Sequence, residues 1–141
     1  MRLTWIIAAG LYAAALPFAY AQAQQEQETR PYPPPPGSNE VLRSPLTGRA
    51  GVEVIVSDVV IPPNGQVARH YHPGEEFLYL IEGTAIHVEE GKPDLPLGPG
   101  DSYAIPPRAI HSPKGGPDGA RAIVFRVHVA GQPERIEAPL P

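Results

Sequence analysis

The stretch Gly65-Gln-Val-Ala-Arg-His70-Tyr-His72-Pro-Gly-Glu75-Glu76-Phe-Leu-Tyr-Leu-Ile-Glu-Gly83 decides how the rest of this 141-residue chain is read. Side chains alternate faces along an extended strand, so His70 and His72, two positions apart, point the same way. Pro73-Gly74 reads as a turn, and the segment from Glu76 through the apolar run 77–81 as a strand returning beside the first. Two imidazoles on one strand and a carboxylate on its neighbour can converge on a point, the arrangement a borderline divalent ion needs. His111 supplies a fourth candidate further along the chain.

Around that stretch, the composition narrows the alternatives. The length suits one domain with enough chain to bury a core. There is no cysteine, which excludes a disulfide framework, thiolate metal sites and a cysteine nucleophile. A formal net charge of −4 and the lack of any Lys/Arg cluster give no reason to expect a nucleic-acid partner. The 14 glycines and 20 prolines either punctuate short apolar segments or gather near residue 33, a pattern of turn-rich β-structure.

Residues 1–23 read as a secretion signal: Arg2, an apolar stretch over 3–19, then small-x-small cleavage sites at Ala19-Tyr-Ala21 and Ala21-Gln-Ala23. The chain therefore divides into a signal peptide over 1–23, a polar and Pro-rich linker over 24–39, a single domain over 40–135 and a tail over 136–141. The four consecutive prolines at 33–36 favour a polyproline II spacer. The expected destination is the bacterial periplasm or the exterior, by the general secretory route, with no stable membrane insertion after cleavage.

Within the domain, Val52–Ile61 reads as one strand ended by Pro62-Pro63-Asn64-Gly65. Further strands are expected at 66–72, 76–81, 84–89, 95–97, 102–105 and 121–129. No ten-residue stretch carries a 3.6-residue period, so the fold class is all-β, a sandwich or barrel.

A second informative stretch is Gly100-Asp-Ser-Tyr-Ala-Ile-Pro106-Pro-Arg-Ala-Ile-His111. Together the two stretches resemble the cupin superfamily. The first cupin motif, G-x5-H-x-H-x(3,4)-E-x6-G, is matched by His70, His72, Glu76 and Gly83. The second, G-x5-P-x-G-x2-H-x3-N, is matched by Gly100, Pro106 and His111. The resemblance extends over about 52–129. It departs from the pattern where one residue fewer separates Gly65 from His70, where Arg108 replaces a glycine, and where Gly115 replaces the final asparagine. A glycine at position 108 normally permits a positive φ, so Arg108 implies either strain or a different turn; a solvated side chain is its default reading.

The resemblance implies a double-stranded β-helix, or jelly roll, with one divalent transition metal (Fe, Mn, Ni, Zn or Cu) held by His70, His72, Glu76 and His111. Glu75 is the rival carboxylate, but only Glu76 has the family spacing, and strand alternation aims Glu75 outward. Association into a homodimer is likewise implied. Two functional readings follow: a metal-dependent enzyme, dioxygenase- or lyase-like, on a small organic acid or phenolic molecule, or a non-catalytic module binding a metal or small ligand. The second draws on the lack of an obvious acid or base set into the barrel. His87, among acidic neighbours, reads as a face residue, and His128 as a hydrogen-bonded, partly buried histidine. Tyr71, Tyr79, Tyr103 and Phe125 could line a pocket, but core packing is the default for most of them. The second motif accounts for Gly100-Asp101, so the chain gives little support to a serine esterase reading.

Overall fold

The computed structural model describes residues 32–139; the signal reading falls outside them. Its strands are β1 (Gly37–Pro45), β2 (Val52–Ile61), β3 (His70–Tyr71), β4 (Glu76–His87), β5 (Leu95–Leu97), β6 (Ser102–Ile105), β7 (Lys114–Val129) and β8 (Ile136–Glu137). No helix occurs among the described residues, and none is therefore long and apolar enough to cross a membrane. The all-β expectation holds.

Every pairing is antiparallel. The larger sheet runs β1-β2-β7-β4-β5, with β6 also paired to β4. β2 and β7 stay in register from Val52↔Val129 to Ile61↔Ala120. One edge of β4 carries β7, beginning at Glu76↔Arg126; its other edge takes β6 over the first half and β5 over the second. The smaller sheet pairs β3 with β8 through His70↔Glu137, and single bridges carry it on from His70 to His111 and from His111 to Glu89.

The short strands 95–97 and 102–105 fall at the expected bounds, and Val52–Ile61 is one strand. The segments 76–81 and 84–89 fuse into β4, whose ladder with β7 shifts register between Leu80 and Glu82 and again between Gly83 and Ala85. Such irregularities bend a strand and change which residues face inward. Of 66–72, only His70–Tyr71 is laddered, with an isolated bridge at Gln66. Two strands have no counterpart in the sequence reading. β1 lies almost wholly exposed on the sheet edge, and β8 is formed by residues read as tail.

Gly83 shows why the first motif ends in glycine. Its φ is +70°, and a Cβ there would lie 2.1 Å from the Gly119 carbonyl oxygen. Arg108 adopts the left-handed conformation of the glycine it replaces, at φ 64°, which costs a non-glycine residue about 1 kcal/mol. Its side chain is exposed, in keeping with the solvated reading, while its N–H donates to the His72 carbonyl at 2.8 Å.

The apolar interior is aliphatic: Ile61, Leu80, Ala85, Leu97 and Ala120 cluster, with Val59, Val67, Leu78 and Ala122 against them. The aromatic expectation is corrected here. Tyr79 is 49% and Phe125 44% exposed, and Phe125 stands opposite Phe77 on the outer face. The inward positions of β4 and β7 go instead to Glu76, Leu80, Val124 and Arg126. Aromatic propensity for strands says nothing about which face they take.

Candidate metal centre

His70 sits on β3 and His72 two residues beyond its start, Glu76 opens β4, and His111 lies beyond β6, joined to His70 by reciprocal backbone hydrogen bonds of 3.0 and 2.9 Å. All four are buried. Glu75 is exposed, so alternation separates the two glutamates as expected. Ring nitrogens of His70, His72 and His111 lie within 4.8 Å of one another. Glu76 borders this cluster, with Oε2 3.1 Å from His72 Nε2 and Oε1 3.9 Å from His111 Nε2.

The backbone sets the tautomers. The Nδ1 atoms of His70, His72 and His111 lie 2.7, 2.6 and 2.9 Å from the carbonyls of Ala68, Glu134 and Ala109. A carbonyl only accepts, so each Nδ1 carries the hydrogen and each Nε2 of a neutral ring presents a lone pair. The rings are held neutral. Burial pushes His70 down to about 3, with His111 adding to the effect and the Ala68 carbonyl opposing it. Burial also lowers His72 against the pull of Glu76, and lowers His111 against that of the Ala109 carbonyl.

Glu76 is the converse. Burial raises its pKa, but Arg126 and the neighbouring histidines outweigh that and leave it below the ordinary carboxylate value. Arg126 Nε donates to Glu76 Oε2 at 2.6 Å, and its Nη1 reaches Glu134 Oε1 at 2.7 Å and Ser57 Oγ at 3.3 Å. Glu134 thus braces the centre twice, through its carbonyl on His72 and its carboxylate on Arg126.

These residues fit a metal ion. A neutral His72 places the Nε2 lone pair 3.1 Å from an ionised carboxylate oxygen, and that buried nitrogen makes no hydrogen bond. Two acceptors so close need a shared cation or a proton between them. Three imidazole nitrogens plus a carboxylate are the donors a divalent transition metal takes, and hydrogen-bonded second nitrogens are how such rings are oriented. The cluster lines a cavity of about 190 Å³, which Val59, Leu78, Leu80, Leu97 and Val124 also line. A dry cavity of about 150 Å³ accommodates benzene, so this one has room for a single substituted ring.

The reading of His87 as a face residue is corrected. It is 2% exposed and lines the cavity. The register shifts near Gly83 explain this: inward positions run Glu76 and Leu80 before the irregularity, then Ala85 and His87 after it. His128 follows its expectation, buried with Nε2 3.1 Å from the Gln132 carbonyl. Arg126 and Glu134 were not anticipated; the one available signal is an arginine sharing inward parity with Val124 and His128.

An antiparallel β-fold that buries a cluster of three histidines defines the class of protein, one with a candidate metal site. The chain belongs to the cupin domain family (Cupin_2), which matches residues 57–132. A 3-hydroxyanthranilate 3,4-dioxygenase of Ruegeria pomeroyi is 34% identical over 70 residues, 48% of this chain and 39% of that enzyme. A second, from Shewanella woodyi, is 38% identical over 70 residues, 48% of this chain and 37% of the enzyme. The chain thus aligns with well under half the length of these curated relatives. In fold it is similar to a double-stranded β-helix protein of Klebsiella pneumoniae, with a TM-score of 0.58 at 20% identity over 82% of this chain and 94% of that one.

Proposed function

We propose that this cupin binds one divalent transition metal (iron, manganese, nickel, zinc or copper) through His70, His72, His111 and Glu76, and serves as a metal-dependent enzyme of dioxygenase type on a small phenolic or organic acid. The observation that carries the reading is the set of three Nε2 lone pairs, each fixed by a backbone carbonyl on Nδ1, facing a carboxylate. The dioxygenase relatives and the ring-sized apolar cavity support the reaction class and substrate size. A bound metal would supply Lewis acidity and, if redox-active, a site for dioxygen. The chain's own contribution is to hold the nitrogens unprotonated, to keep Glu76 ionised through Arg126, and to surround the substrate with aliphatic walls that exclude water. The alternative, a non-catalytic module, draws on the lack of an acid or base set into the barrel; the buried His87 on the cavity wall speaks for the enzyme.

Metal content by mass spectrometry of protein purified without chelator or affinity tag tests the reading. About one equivalent of a single transition metal is expected in the wild type and almost none in His72→Ala. Equal content in both, or none in either after reloading, overturns it. Iron would direct turnover assays to oxygen consumption, and zinc or nickel to lyase chemistry.

The signal-like residues 1–23 support export to the periplasm or beyond. The exposed edge strand β1 supports a homodimer. Light scattering across a dilution series should report twice the chain mass; a monomer at every concentration removes the dimer.

A further inference from the structure

One side chain on the cavity wall carries a buried polar atom that the metal centre does not use. His87 Nε2 lies 3.2 Å from Glu89 Oε2, the same oxygen that accepts from the Tyr103 hydroxyl at 3.1 Å. Lys92 Nζ pairs with Glu89 Oε1 at 2.7 Å and also donates to the Tyr103 hydroxyl at 3.1 Å. Paired with an ammonium and accepting a hydroxyl, Glu89 is a carboxylate and cannot donate, so the hydrogen of His87 sits on Nε2. The lone pair is then on Nδ1. Nδ1 is buried and has no hydrogen-bond partner among the described residues. The ring stacks obliquely on Tyr103, with centroids 4.6 Å apart, and lies 5.8 Å from the His111 ring, which sets it beside the metal centre.

An unpaired buried acceptor is costly, and a protein that builds a carboxylate, a tyrosine and a lysine around the opposite nitrogen holds that acceptor in place. We infer that His87 is a specificity-determining residue of this cavity, its Nδ1 accepting a hydrogen bond from a hydroxyl or amine hydrogen of the bound molecule. The inference deepens the proposed function and rests on it for the idea that the cavity is a substrate site. The molecule it selects is a compact, mostly apolar one with a donor hydrogen directed at His87 and a second polar group directed at the histidine cluster. A ring of the same size without a donor leaves Nδ1 unpaired and is discriminated against.

The test compares phenol with anisole, which keeps the ring and the oxygen but has no donor hydrogen. Binding is measured calorimetrically on zinc-loaded and metal-free protein, in the wild type, His87→Phe and His72→Ala. Phenol should bind the wild type on the order of 10-fold more tightly than anisole, the range expected for satisfying one buried acceptor. The preference should fall below about 2-fold in His87→Phe and persist in His72→Ala and without zinc. Equal binding of the two probes to the wild type, binding of neither, or a preference that survives His87→Phe overturns the inference. Failure of the wild type to take up zinc, with the preference intact, would sink the metal reading alone. Imidazole nitrogen-15 spectra keep the test decisive should His87→Phe fail to fold. The Nε2–H tautomer is expected, with an Nδ1 signal that moves on adding phenol and not anisole; the opposite tautomer or an unmoved signal refutes the assignment.

Discussion

Replacing Arg126 by methionine is expected to destabilise the metal-free domain by about 3–5 kcal/mol, the range for stranding one member of a buried ion pair. Arg126 and Glu76 are both under 10% exposed, and the 2.6 Å contact between them is the strongest interaction the carboxylate makes. Glu134, the arginine's other partner, reaches solvent and tolerates the loss. A domain's net stability is only about 5–15 kcal/mol, so the variant stands near the threshold of folding. Chemical denaturation in the presence of chelator measures the difference. The double variant Glu76→Gln, Arg126→Met should recover most of it, because no buried charge is left uncompensated. A single-variant loss under about 1 kcal/mol, or no recovery in the pair, would show that Glu76 is stabilised by something else.

The second large effect is at Gly74. A Cβ there would stand 1.7 Å from the Val127 carbonyl oxygen and 2.9 Å from its carbon, both backbone atoms. Alanine must therefore push the turn between His72 and Glu76 away from β7, breaking the 2.9 Å hydrogen bond from Val127 N–H to the Glu75 carbonyl. A loss of about 3 kcal/mol is expected, at the upper end for overpacking. For a domain of this size that lowers the thermal midpoint by more than about 10 °C. Calorimetry of Gly74→Ala giving a midpoint within about 2 °C of the wild type would mean that the close approach relaxes cheaply. Because the same turn sets the histidines against Glu76, metal retention should weaken along with stability.

Gly74 also shows how much of the fold was legible in advance. Pro73-Gly74 reads as a turn, and it is one, but its glycine is required by the passage of β7 and not by a positive φ, which local sequence does not reveal. Strand positions flanked by strong turns, such as β5 and β6, follow from punctuation alone. His70 and His72 were legible as a period-two pair, whereas Glu76 and His111 were singled out through the spacing of the two cupin motifs. His87 was misread because its acidic neighbours suggested a solvated face, whereas the strand turns that position inward. Nothing in the residues around 81–84 announces the shift in pairing that turns the strand over. β1 and β8 escaped because neither has apolar alternation. Each gains its place by pairing with a strand distant in sequence. Arg126 and Glu134 belong to the same category, since the role of a buried ion pair depends on a partner that the linear chain places far away.

The Glu134 carbonyl that orients His72 lies 62 residues after it in sequence. During synthesis the histidine strand therefore emerges well before the atoms that set its tautomer, and before β8 closes over it. Until the 134–137 segment docks, the Glu134 carbonyl is not there to hold His72 Nδ1, so the orientation of that ring is fixed late. On the proposed metal reading, the donor set would then be completed in the compartment where folding finishes.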